Sequence, residues 1–147
     1  MSKQPGRREG VVGAVRVQVQ LTNAVDEGLH QRGQLEASQV RTYQSEALVD
    51  AGAVRCVLPP FVAECLGLRR MAHRVAQYAD GRLEEVEVTE PFFLEVMGRR
   101  TAEEALVLGD EVLIGQTALE KLDLLVDCHQ QRLVPNPAHP DQPVFRV

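Results

Sequence analysis

Asp50 stands in the stretch ALVDAGA, between the apolar run Ala47-Leu48-Val49 and the small residues Ala51-Gly52-Ala53. Aspartate and glycine are poor strand formers and good turn formers, so this order predicts a strand that ends in a tight turn presenting a carboxylate. A carboxylate held in that way is placed to take up and return a proton. The other aspartates have plainer settings: Asp80 at a hairpin tip, Asp110 after Gly109 in a turn, Asp123 and Asp127 bordering the last strong strand. They read as surface or turn carboxylates. Cys128-His129 offers two metal ligands, but no further Cys/His cluster completes a site, so no metal and no organic cofactor are expected. Cys56, Cys65 and Cys128 are an odd number without CxxC spacing and read as free thiols of a reducing compartment.

The chain has 147 residues, enough for one core, with 44% hydrophobic and 25% charged residues. No apolar run approaches the roughly 18 residues of a membrane span, so no membrane partner is expected. Residues 1–10, MSKQPGRREG, are polar and basic with no hydrophobic segment behind them; they predict a flexible N-terminal segment, not a secretory signal, and hence a cytoplasmic protein. The formal charge of −5 argues against a general affinity for nucleic acid. The pairs Arg7-Arg8, Arg69-Arg70 and Arg99-Arg100 read as solvated surface pairs.

The elements that position Asp50 follow from periodicity. Residues 11–21 alternate Val15, Val17, Val19 and Leu21 with polar neighbours and predict a strand with one buried face. Residues 23–33 are rich in polar and turn types and predict a loop, and 35–49 predict an extended segment leading into the aspartate turn. Pro59-Pro60 opens a short helix that Gly67 stops. Within 71–88, Tyr78-Ala79-Asp80-Gly81 divides two alternating arms, a strong hairpin signal. Residues 92–97 and 105–108 predict further strands, with turns at Gly98 and Gly109-Asp110. A fully apolar strand at 112–115, a brief helix at 116–122 and a strand at 124–127 follow. The tail LVPNPAHPDQPVFRV is proline-rich and predicts a surface segment that does not continue a sheet. Many short strands and one or two short helices make a mainly β domain, a closed or folded-over sheet.

Taken in order, ALVDAGA, LPPFVAECLGL, YADGR, VLIGQTALEKLDLLVD and RLVPNP resemble the retropepsin-like aspartic proteases, in particular their small prokaryotic members. The resemblance covers about residues 11–137. It implies the retropepsin-like acid-protease fold with one lobe per chain: a flexible segment 1–10, a protease domain 11–134 and a proline-rich tail 135–147. It also implies a homodimer, because one chain supplies one catalytic aspartate, Asp50, and the twofold axis supplies its copy. Two carboxylates face to face cannot both ionise easily, so one keeps a proton while the other activates a water to hydrolyse a peptide bond. In this reading Ala51, Gly52 and Ala53 form the active-site turn. Tyr78, Ala79, Asp80 and Gly81 form a flap over a polypeptide substrate, and Ile114 and Gly115 form the strand threading beside the turn.

One position departs from the family. Its Thr or Ser after the aspartate, whose hydroxyl bonds across the dimer axis, is Ala51 here. Losing that bond twice costs about 1–6 kcal/mol of dimerisation, so the resemblance implies a weakened endopeptidase. The alternative is an inactive module of the same fold that holds an extended peptide or dimerises without cutting.

Overall fold

The computed structural model describes residues 14–147, so the N-terminal segment 1–10 and the expected strand start at 11–13 lie outside the described residues. Among the described residues, eleven strands, three α-helices and one 3-10 turn make a mainly β structure. The helices exceed the one or two expected because one of them replaces a predicted loop.

Strand β1 (Val15–Asn23) buries Val15, Val19 and Leu21, as its alternation requires. Its last residue, Asn23, then starts helix α1 (Ala24–Gln31), where residues 23–33 were expected to be a loop. The Asn23 side chain accepts the Asp26 N–H at 2.9 Å, and Asp26 and Glu27 sit in the first turn, where the helix dipole favours acid. Capping chemistry thus made a helix of a segment whose polarity suggests a loop. Beyond it, a 3-10 turn (Ala37–Gln39) interrupts the predicted extended run, and β2 (Thr42–Val49) begins only after it.

β3 (Cys56–Leu58) leads into α2 (Pro60–Cys65), which opens on proline as predicted and ends at Gly67 with φ +64°. β4 (Arg70–Gln77) and β5 (Leu83–Thr89) form the expected hairpin. β6 (Phe92–Val96) turns through Met97-Gly98, both at positive φ, into β7 (Arg99–Glu103), a strand absent from the sequence reading. The RRTAE sequence of β7 looks solvated, yet Arg99, Thr101 and Glu103 are buried. β8 (Ala105–Val107), β9 (Val112–Ile114), α3 (Gln116–Leu122) and β10 (Leu124–Asp127) lie where the sequence places them. β11 (Arg132–Pro135) pairs with β10 and corrects the expectation that the tail forms no strand. Pro135 is tolerated because it closes the strand in a two-stranded ladder.

Nine strands form one sheet in the order β4-β5-β8-β3-β9-β2-β1-β6-β7. In a flat sheet β3 and β7 would lie roughly 24 Å apart at the usual strand spacing. Helix α3, seven residues long, nevertheless packs against both. The sheet is therefore folded over on itself, with Val19, Leu21, Leu58, Leu94, Ile114 and Leu122 in the core between its halves. Between them these layers hold the aspartate turn.

Candidate functional site

Asp50 follows β2 directly, and its turn is fixed by the strand that runs beside it. β9 pairs in parallel with β2 (Ala47↔Val112, Val49↔Ile114) and antiparallel with β3 (Val57↔Leu113), so it lies between the strand entering the turn and the strand leaving it. The Asp50 N–H donates to Ile114 O at 2.9 Å, continuing the ladder one residue past Val49. The Ala53 N–H donates to Asp50 O at 3.0 Å, closing the turn.

Where the chain leaves the turn, helix α3 holds it. The Gln116 N–H donates to Ala53 O at 2.7 Å and the Thr117 N–H to Val54 O at 3.1 Å. Amides of a first helical turn lack partners within their own helix, so the turn supplies what the helix lacks. Gly115 is required at this crossing: a Cβ there would stand 2.5 Å from Arg55 O and 2.8 Å from Val54 O. Ile114 and Gly115, expected to support the turn, are thus against it.

The Asp50 carboxylate accepts the Gly52 N–H at 3.1 Å. Gly52 sits close under it, since a Cβ at that position would be 3.3 Å from Asp50 Oδ1. Ala51 and Gly52 are exposed, and Asp50 and Ala53 are half-buried. The turn therefore carries a half-buried carboxylate that accepts a main-chain N–H and is followed by exposed residues. Such a group can move a proton to or from a bound water or carbonyl.

The hairpin tip at Tyr78, Ala79, Asp80 and Gly81 is organised within itself. The Tyr78 N–H donates to Arg82 O at 2.9 Å, the Gly81 N–H to Tyr78 O at 2.9 Å and the Arg82 N–H to Asp80 Oδ1 at 2.9 Å. Gly81 takes φ +86°, the left-handed conformation such a tip needs. The Tyr78 hydroxyl donates to Glu84, which raises its pKa, and the Arg82 guanidinium lies 4.2 Å from the centre of its ring. Tyr78 is therefore engaged in cross-strand contacts. β5 joins β8, and β8 joins β3, so one strand separates the hairpin from the strand that leaves the aspartate turn.

Beside the turn lies a cleft of about 350 Å³ lined by Val54, Arg55, Thr117, Glu103 and Lys121, which the sequence reading did not connect with Asp50. Glu103 is buried at its edge, bonded by Thr101 Oγ1 at 2.7 Å and paired with Lys121 Nζ at 3.1 Å. No local signal joins these residues, because the fold-over alone brings β7 to α3. Cys56 is buried and burial pushes its thiol up to about 11, so it packs as a small apolar side chain and is no nucleophile at neutral pH. Cys65 and Cys128 are exposed free thiols.

The arginine pairs need one correction. Arg99 is buried, donating to Leu122 O, Asp123 O and His139 O, while its neighbour Arg100 reaches Glu27 and stacks on Phe93. Arg69 pairs with Glu90 at 3.1 Å and Arg70 with Glu87 at 3.5 Å. Arg7-Arg8 lies outside the described residues. Among the described residues there is no group of three or more His, Cys, Asp or Glu side chains arranged to hold a metal, and no helix long and apolar enough to cross a membrane. No family model matches the chain, and no curated protein matches its sequence.

Proposed function

We propose that this chain is an aspartic endopeptidase of the retropepsin-like type, acting as a homodimer on polypeptides, with Asp50 from each copy forming the catalytic pair. The observation that carries this reading is the position of β9, between the strand entering the Asp50 turn and the strand leaving it. That arrangement, with the close crossing at Gly115, fixes the backbone that carries the carboxylate. Preorganisation of this kind is what proton transfer at a bound water requires.

In the dimer one Asp50 takes the proton from the attacking water and the other gives a proton to the peptide carbonyl oxygen. Collapse of the tetrahedral species then passes a proton to the leaving nitrogen, and the peptide bond breaks without a covalent enzyme intermediate. The Tyr78–Gly81 tip is the segment assigned to close over the substrate. Ala51 favours one second reading, an inactive peptide-binding module of the same fold, because an alanine side chain cannot donate a hydrogen bond between subunits.

The test is cleavage of a pool of denatured polypeptides between about pH 4 and 7, the span over which a carboxylate pair changes protonation. The chain as given is compared with Asp50→Asn and Ala51→Thr. Cleavage lost in Asp50→Asn supports the endopeptidase, and Ala51→Thr is expected to raise it by tightening the dimer, read in parallel by sedimentation. Retained peptide affinity in Asp50→Asn with no cleavage by any variant assigns the binding module.

A further inference from the structure

A second aspartate with an unexpected setting lies at the other end of α3. Asp123 ends that helix in the left-handed conformation, φ +56° and ψ +47°. Its carboxylate gathers the C-terminal segment: Oδ1 accepts from Asn136 Nδ2 at 2.9 Å, and Oδ2 accepts from the Val144 N–H at 3.1 Å and lies 2.7 Å from His139 Nδ1. Its main chain takes part as well. Asp123 O accepts the Asn136 N–H at 3.0 Å and the Arg99 guanidinium at 2.8 Å, and Arg99 also donates to His139 O at 2.9 Å.

Against this polar grip the apolar anchoring is slight. Val144 is 41% and Phe145 73% exposed, so neither side chain is fully withdrawn from water. The segment borders a cleft of about 750 Å³ whose apolar lining includes Leu119 and Leu124. Three contacts from three separated tail residues thus converge on one titratable group.

We propose that residues 136–147 form a detachable strap across the cleft between α3 and β10, with the Asp123 carboxylate as its releasable fastening. The proposal is independent of the reading of Asp50. The Asn136 amide, with the Val144 N–H and His139, holds the Asp123 carboxyl below the usual carboxylate range. The charged groups around it are His139 from the tail and Arg99 from β7, while Glu120 and Lys121 of α3 and Arg146 of the tail line the same cleft. Since the ionised form is the one that binds, the strap is fastened above the ordinary carboxylate pKa and opens as pH falls through the lowered value. A cationic His139 attracts the ionised carboxylate and does not oppose the fastening.

The test is amide hydrogen exchange of the full chain, with the Val144 N–H as reporter and β1 and β2 amides as the control for global opening. Asp123→Asn keeps a residue that tolerates the left-handed conformation while replacing an acceptor oxygen with a donor. It is expected to speed tail exchange by about tenfold or more, as charge-assisted bonds give way to weaker ones, with β1 and β2 unchanged. The parent chain is expected to lose Val144 protection on acidification, corrected for intrinsic exchange, and Asp123→Asn to show no such transition. Unchanged Val144 protection in Asp123→Asn, or the same acid transition in both chains, overturns the proposal. Should Asp123→Asn loosen the β1 and β2 amides too, His139→Gln and Asn136→Ala decide: faster tail exchange alone supports the strap, and no change in either overturns it.

Discussion

Asp26, in the first turn of α1 beyond β1, and Asp50, directly after β2, have different surroundings. Asp26 is 5% exposed and grips Arg41 with both oxygens, Nε to Oδ2 at 2.8 Å and Nη2 to Oδ1 at 2.9 Å, with the Arg41 N–H adding a third bond at 3.0 Å. The Arg41 guanidinium in turn fills the space over Gly67, where a Cβ would stand 1.8 Å from it. Asn23 Nδ2 donates to Leu66 O at 2.7 Å beside it, so α1, the start of β2 and the end of α2 are tied together. Asp50 is half-buried in a turn whose next two residues are exposed, and its carboxylate accepts the Gly52 N–H. A carboxylate buried in a two-oxygen grip on a guanidinium is a structural tie, whereas one carried in a turn between exposed residues sits at the protein surface.

The contrast can be broken most sharply at Asp50. Asp50→Asn is expected to lower peptide cleavage by on the order of 10⁴-fold, as loss of a catalytic carboxylate does elsewhere, while leaving the thermal unfolding midpoint nearly unchanged. Cleavage that survives this change removes the distinction. Gly115→Ala attacks the support of the same turn; its Cβ would meet main-chain atoms at 2.5 Å, so a loss of about 3 kcal/mol is expected in denaturant unfolding. A variant as stable as the parent would mean that the crossing of Gly115 past Arg55 is looser than described.

Asp26→Asn should behave in the reverse way to Asp50→Asn. Breaking its bonds to Arg41 is expected to cost about 1–2 kcal/mol of stability, the lower part of the range because the guanidinium is half exposed, with cleavage per folded molecule unaltered. The smallest effect is its pH dependence. Hydrogen bonds from Arg41 hold the Asp26 carboxyl below its ordinary value. A lowered folded-state pKa gives stability that is complete above the unfolded value of about 3.9 and is lost as pH falls through the folded one. The stability difference between parent and Asp26→Asn should therefore be constant near neutrality and shrink in acid. A difference that grows on acidification contradicts the pairing.

Local chemistry determined a good part of this molecule. Alternating valines made β1, Pro60 opened α2, Asp80-Gly81 turned the hairpin, and ALVDAGA ended a strand in a turn that presents Asp50. Each depends on the φ/ψ preferences or periodicity of a few consecutive residues, which the order of residues already contains. Even there, α1 escaped notice, because one side-chain oxygen of Asn23 capping the Asp26 N–H outweighs the polarity that suggested a loop. What tertiary structure alone decided is whatever joins distant residues. β7 is a buried strand because α3 and the tail satisfy Arg99 and Glu103. β11 exists because β10 pairs with it, β9 lies between β2 and β3, and Asp123 gathers residues 13 to 21 positions away. The physical reason is the same throughout: a polar side chain reads as solvated until a partner arrives from far along the chain, and only the folded sheet determines which partner that is.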